Sequence, residues 1–156
     1  MMNRLLAFGV AATFAALTCV AVPATANAAT PNAATPHAAT PDAQENDVAT
    51  AGTPPTSGLG PCVSTTGTEV CFEAYGDKWW VKDTKKDGAS ATVAWADYVD
   101  GSLYRDGVCR NSLGAGKWGV CNKNYYEGST LYFTAVTYDA SADTIIAQSP
   151  EEVATA

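Results

Sequence analysis

Residues 109–138 restrict the fold more than any other stretch of this chain. Cys109 and Cys121 enclose Gly114, Gly116, Trp118 and Gly119, and after Glu127-Gly128 comes the run Ser129-Thr130-Leu131-Tyr132-Phe133-Thr134-Ala135-Val136-Thr137-Tyr138. β-Branched and aromatic residues at that density suit a pleated, half-buried surface, so the run reads as a long strand. The disulfide-sized loop ahead of it reads as a hairpin, with residues 108–111 facing residues 117–122.

The stretch upstream follows the same grammar. Residues 69–75 alternate, placing Val70, Phe72 and Ala74 on one face and Glu69 and Glu73 on the other. Gly76-Asp77 turns the chain into 78–83, where Trp79 and Val81 share a face and Trp80 sits between Lys78 and Lys82 on the opposite one. Lys86-Asp87-Gly88 leads into 91–99, with Val93 and Trp95 inward. Asp100-Gly101 and Asp106-Gly107 bracket 102–105 as a short strand, and 143–148 adds an edge. With no helical periodicity and turns at short intervals, the sequence predicts an all-β fold. The expected form is a small antiparallel β-sandwich or partly open barrel of six or seven short strands over 62–148. Residues 149–156 are expected to fray.

The first sixty residues differ in composition. Residues 1–28 carry a basic start at Arg4, an apolar run and small residues after Pro23, the pattern of a cleaved secretory signal. The protein is therefore expected outside the cell, with no membrane association after cleavage. Residues 29–61 read as a disordered leader, because the repeat Asn-Ala-Ala-Thr-Pro, Asn-Ala-Ala-Thr-Pro, His-Ala-Ala-Thr-Pro removes a backbone donor at every fifth position. A folded part this short has a thin stability margin and needs covalent staples. Cys62, Cys71, Cys109 and Cys121 supply them, since Cys19 lies in the signal. Three pairings are open. The spacing favours Cys62 with Cys71 and Cys109 with Cys121 as two hairpin clamps, each contributing about 2.5–3 kcal/mol in the chain-entropy model.

Several functions are disfavoured by what the chain lacks. Of the net charge of −7, only −2 falls within 62–139, where eight basic residues meet ten acidic ones, so no basic surplus exists to attract nucleic acid. The one histidine, His37, lies in the repeat, which leaves no Ser-His or Cys-His pair for the domain. Carboxylates such as Glu69, Glu73, Asp97 and Glu127 remain for glycoside chemistry, but Asp87, Asp100 and Asp106 precede Gly, the chemistry of turns. Catalysis is not expected. Neither a metal nor another cofactor is expected either, because the chain has no C-x-x-C spacing and no D-x-D-x-D-G loop.

The aromatic residues carry the remaining functional content. Parity assigns Trp79, Trp95, Trp118 and Phe133 to a core with Val70, Phe72, Val81, Val93, Val120 and Leu131. Trp80, Tyr98, Tyr132 and Tyr138 fall on the other parity. Trp80, Tyr98 and Tyr132 are the candidate binding residues, flat rings able to stack on a cell-surface glycan or anchor a protein partner. The same parity also fits a second sheet face covered by the chain's own ends. A hydrolase inhibitor is the alternative function, presenting Arg110 or Leu113 from the loop that ends at Lys117.

The segments Gly76-Asp77-Lys78-Trp79-Trp80-Val81-Lys82-Asp83-Thr84 and Cys109-Arg110-Asn111-Ser112-Leu113-Gly114-Ala115-Gly116-Lys117-Trp118-Gly119-Val120-Cys121-Asn122, followed by Glu127-Gly128, resemble a group of small secreted actinobacterial proteins. The likeness spans roughly residues 70–135 and implies a disulfide-containing β-domain. It carries over no functional residue.

Overall fold

The computed structural model describes residues 44–156. The expected signal at 1–28 and the first part of the expected leader, residues 29–43, lie outside them. The described chain is all-β: β1 Glu45–Val48, β2 Thr50–Ala51, β3 Cys62–Thr65, β4 Thr68–Glu73, β5 Lys78–Asp83, β6 Ser90–Val99, β7 Ser102–Asn111, β8 Trp118–Asn122, β9 Thr130–Asp139, β10 Thr144–Gln148 and β11 Glu152–Thr155. A six-stranded sheet runs β1-β7-β6-β9-β10, with β11 also on β9, and a five-stranded sheet runs β2-β8-β5-β4-β3. Every pairing is antiparallel except β1 with β7. β6 and β7 are joined by Asp100-Gly101, both at positive φ (50° and 75°), which is the twist a tight two-residue hairpin demands.

The two sheets close on an aromatic core. Val70, Phe72, Trp79 and Val81 face Val93, Trp95, Leu131 and Phe133, all buried. Ring centroids lie 4.6 Å apart for Phe72 and Trp79 and 4.9 Å apart for Trp79 and Phe133. The buried indole Nε1 of Trp79 donates to Tyr125 Oη at 2.7 Å, so the largest core residue leaves no polar atom unpaired. Both expected disulfides form: Cys62–Cys71 ties β3 to β4, and Cys109–Cys121 ties β7 to β8.

Three expectations need correction. First, β7 and β8 do not form a hairpin. They belong to different sheets, and Cys109–Cys121, with Cα atoms 6.1 Å apart, staples one sheet to the other. A short cysteine spacing fits a hairpin clamp and a sheet-to-sheet crossing equally well, because six extended residues reach about 20 Å and the sheets lie about 10 Å apart. With Cys121 facing inward, alternation turns Val120 and Trp118 outward. Trp118 is accordingly half-exposed on the outer face of the five-stranded sheet, above Lys82, and is not part of the core.

Second, the folded domain starts well before Cys62. β1 pairs with β7 in one sheet, the chain crosses at the buried Ala49, and β2 pairs with β8 in the other sheet. Charge holds the strap down. Arg105 and Lys123 both reach Glu45, at 3.3 and 2.7 Å, and Lys123 also pairs with Asp47. The acidic residues that composition assigned to solvated leader are thus neutralised by cations of the domain. Because β2 and β3 lie on opposite edges of the five-stranded sheet, residues 52–61 must cross its outer face, a gap of about 19 Å that ten residues span easily.

Third, residues 149–156 do not fray. β11 pairs with β9 from Glu152 opposite Phe133 to Thr155 opposite Thr130, and it buries Ala154 against Leu131. Glu152-Val153-Ala154-Thr155, short, without alternation and following Pro150, gave no sequence sign of that edge.

Candidate binding face

The outer face of the six-stranded sheet is built by its two central strands. Alternation points Val93, Trp95 and Asp97 of β6 inward, and therefore Thr92, Ala94, Ala96 and Tyr98 outward. β9 does the same with Thr130, Tyr132, Thr134, Val136 and Tyr138. The register sets these residues in cross-strand rows: Tyr98 beside Thr130, Ala96 beside Tyr132, Ala94 beside Thr134, Thr92 beside Val136 and Ser90 beside Tyr138. β7 extends three of the rows, with Asp106 beside Ala96, Val108 beside Ala94 and Arg110 beside Thr92. Small residues in the middle and rings toward both ends leave a trough along the strands.

Two open clefts lie along that trough. One, of about 350 Å³, is lined by Ala96, Tyr98, Gly101, Thr130, Tyr132 and Glu151. The rings of Tyr98 and Tyr132 meet edge to face within it, 5.3 Å between centroids and 79° between planes. The other, of about 380 Å³, has Thr92, Ala94, Val108 and Val136 beneath it and Arg110, Tyr138 and Ile145 around it. Val48, Leu103, Ile145 and Val153 stand exposed on the strands that flank the trough. The Tyr138 hydroxyl donates to Asp143, and that bond, more than the partial burial, holds its pKa above the usual tyrosine value.

Of the sequence candidates, Tyr98 and Tyr132 are brought together as expected, half-exposed on one face. Trp80 is not with them. Its parity is as read, outward between Lys78 and Lys82, but it belongs to the other sheet and is only 6% exposed. The crossing segment covers it so closely that a Cβ on Gly52 would come within 2.9 Å of its ring. Its Nε1 donates to Glu73 Oε2 at 2.7 Å, which turns an expected ligand platform into a buried, hydrogen-bonded side chain. Parity reports a face and says nothing of what lies over it.

The carboxylates considered for catalysis do not converge. Glu69 and Glu73 project from the outer face of the five-stranded sheet, Asp97 lies between the sheets, and Glu127 is in the loop before β9. Burial raises the Glu73 pKa, but hydrogen bonds from Trp80 and Lys78 outweigh it, so its pKa falls below the ordinary value. Asp97 goes the other way. Desolvation lifts its pKa against the pull of Ser129 and of Arg105, whose Nε is 3.6 Å from Oδ2.

Sequence reasoning passed over Thr92, Ala94 and Ala96, which alternate with core residues on β6 and so were open to being found. It placed Arg110 on a loop. Its guanidinium instead lies over the Tyr138 ring on the sheet face, 5.9 Å from the centroid. Compared with known proteins, the chain matches no family model, no curated protein and no solved structure.

Proposed function

We propose that this protein is a secreted, non-catalytic binding protein that takes an extended glycan along the outer face of its six-stranded sheet. The observation that carries the reading is the Tyr98–Tyr132 pair, two half-exposed rings with hydroxyl tips at one end of an alanine-floored trough. Such rings stack on the apolar face of a sugar while their hydroxyls bond its rim. From Tyr98 to Thr92 the trough runs about 20 Å, long enough for several sugar units. Two disulfides are consistent with an oxidising compartment outside the cell. The lack of a histidine between 44 and 156, and the scatter of the carboxylates, favour binding over turnover.

A glycan array probed with the full chain tests the reading. Hits should be lost in Tyr98→Ala and Tyr132→Ala at unchanged melting temperature. Binding that survives both substitutions, or hydrolysis of any bound glycan, would overturn it.

The inhibitor reading gains one observation. Buried Asn111 donates to Val81 O at 2.7 Å and Lys117 O at 2.9 Å and accepts from Leu113 N, so residues 112–117 are pinned despite their glycines. Arg110 does not lie on that loop's tip, however, which leaves the half-buried Leu113 and the exposed Lys117 as its large side chains. Inhibition of a secreted protease, lost in Leu113→Ala, is the result that would favour this reading.

A further inference from the structure

The second cleft carries an inference about ligand class, and it rests on the glycan reading above. Arg110 makes no ion pair and donates no side-chain hydrogen bond among the described residues, although Arg105 and Lys123 are both paired. Directly across the β6–β7 ladder sits Thr92, which lines the same cleft. Thr92 is 6% exposed, and its Oγ1 is buried without any hydrogen-bond partner. Buried hydroxyls are nearly always hydrogen-bonded, so an unpaired one bordering a cleft calls for a partner from outside. The cleft is thus bordered by an unengaged guanidinium and, just beneath its surface, an unengaged hydroxyl, on neighbouring strands whose backbones lie about 5 Å apart, over a floor of Ala94, Val108 and Val136.

We infer that this cleft is a subsite for an acidic sugar, a unit whose carboxylate is gripped by Arg110 while a ring hydroxyl or the same carboxylate bonds Thr92. Three features favour this occupant. The apolar floor matches the C–H face of a sugar ring. The planar guanidinium, already oriented on the Tyr138 ring, fits a carboxylate in two parallel hydrogen bonds. The ends of the trough also differ in charge: Glu151 lines the Tyr98–Tyr132 end, whereas Ser90, next along from Thr92 on the same face, opens into a cleft lined by Lys85, Lys86 and Lys117 against the single carboxylate of Asp83, and Asp143 is already engaged by the Tyr138 hydroxyl. An acidic chain running past Tyr138 therefore meets more cations, and the domain's overall negative charge is screened beyond about 8 Å at physiological salt. A neutral sugar would leave Arg110 with nothing to hold, which is what confers selectivity.

The test measures the full chain by calorimetry with an oligogalacturonate and with its carboxyl-reduced, neutral counterpart. The acidic form should bind about tenfold more tightly at physiological salt. Arg110→Gln should erase that ratio while retaining neutral-sugar binding, and Thr92→Val, which keeps shape and removes the hydroxyl, should weaken acidic-sugar binding several-fold. Arg110→Gln should melt within a few degrees of the parent, and Thr92→Val, relieved of its unpaired hydroxyl, no lower than the parent. Equal binding of the two sugars, or a ratio that Arg110→Gln leaves unchanged, overturns the subsite but leaves the trough reading standing if Tyr132→Ala still abolishes binding. A sulfated oligosaccharide bound more tightly through Arg110 overturns the carboxylate assignment. An acidic peptide bound with the same Arg110 dependence overturns the glycan. No binding of either sugar sinks both readings.

Discussion

Replacing Asn111 with Asp changes two atoms' chemistry and almost no volume, yet it should be among the most damaging single changes in the domain. Asn111 is fully buried at the end of β7, and its amide nitrogen donates to Val81 O and Lys117 O, joining the six-stranded sheet to the five-stranded one. A carboxylate oxygen in its place faces two carbonyl oxygens. Both hydrogen bonds are lost and their two acceptors left without that donor, at about 1–3 kcal/mol each, before any charge is buried. Partial relaxation brings the sum to about 3–5 kcal/mol, or a fall of roughly 10–20 °C in melting temperature for a domain of this size. The protonated acid can restore one donor, so the folded-state pKa of the introduced Asp must lie above its unfolded value of about 4. Between those two values the native state holds the extra proton, and the deficit against the parent should shrink as pH falls through the folded pKa. Thermal melts of parent and variant from pH 7 down to pH 4 measure both effects. A variant that melts within two or three degrees of the parent at pH 7, or a deficit that does not narrow in acid, would show that Asn111 is not the tie described.

Trp80→Ala should cost about 3–5 kcal/mol in denaturant titration, the toll of emptying a covered aromatic site, and should leave glycan binding by the surviving folded fraction unchanged. Mild reductant should open Cys62–Cys71 before Cys109–Cys121, because Cys62 is exposed while Cys109 and Cys121 are both buried; timed alkylation and peptide mapping give the order. The Glu73 carboxylate, with its pKa held below the ordinary 4.5, contributes stability that is fully present above that value and is lost as pH falls below it through the lower folded value. Glu73→Gln should therefore flatten the acid limb of a melting-temperature profile.

β4, β5, β6, β8, β9 and β10 and the disulfide partners were legible because each rests on local chemistry, alternation, Gly and Asp at the turns, and cysteine spacing, whereas β7 runs unbroken from Ser102 to Asn111 through Asp106-Gly107, where a turn was expected. Position in the sandwich was not legible. Cys109 and Cys121 could be paired from their spacing, but which sheets they join depends on where β8 goes, and that is decided by β5 and β2 pairing on either side of it. The same missing information misplaced Trp118 and Val120. Trp80 was lost to a different cause, a covering segment of Pro, Gly and Ser residues whose composition reads as linker and whose contact with the ring runs through Gly52. The surviving pair, Tyr98 and Tyr132, was legible because β6 and β9 are long neighbours in one sheet, so parity alone brings their rings together.

The strap formed by β1 and β2 has a bearing on how the molecule keeps to itself. β1 occupies the free side of β7 and β2 the free side of β8, so one short stretch of chain caps both sheets along the same flank. A chain begun at Cys62 would leave two adjacent rows of unpaired amides and carbonyls, held side by side by the Cys109–Cys121 staple, a ready template for strands from other molecules. Clipping between Gly52 and Gly60 would have a milder effect, because Glu45 and Asp47 would still be held by Arg105 and Lys123. The domain is therefore expected to stay soluble only while the residues from Gln44 onward remain docked on its two sheets.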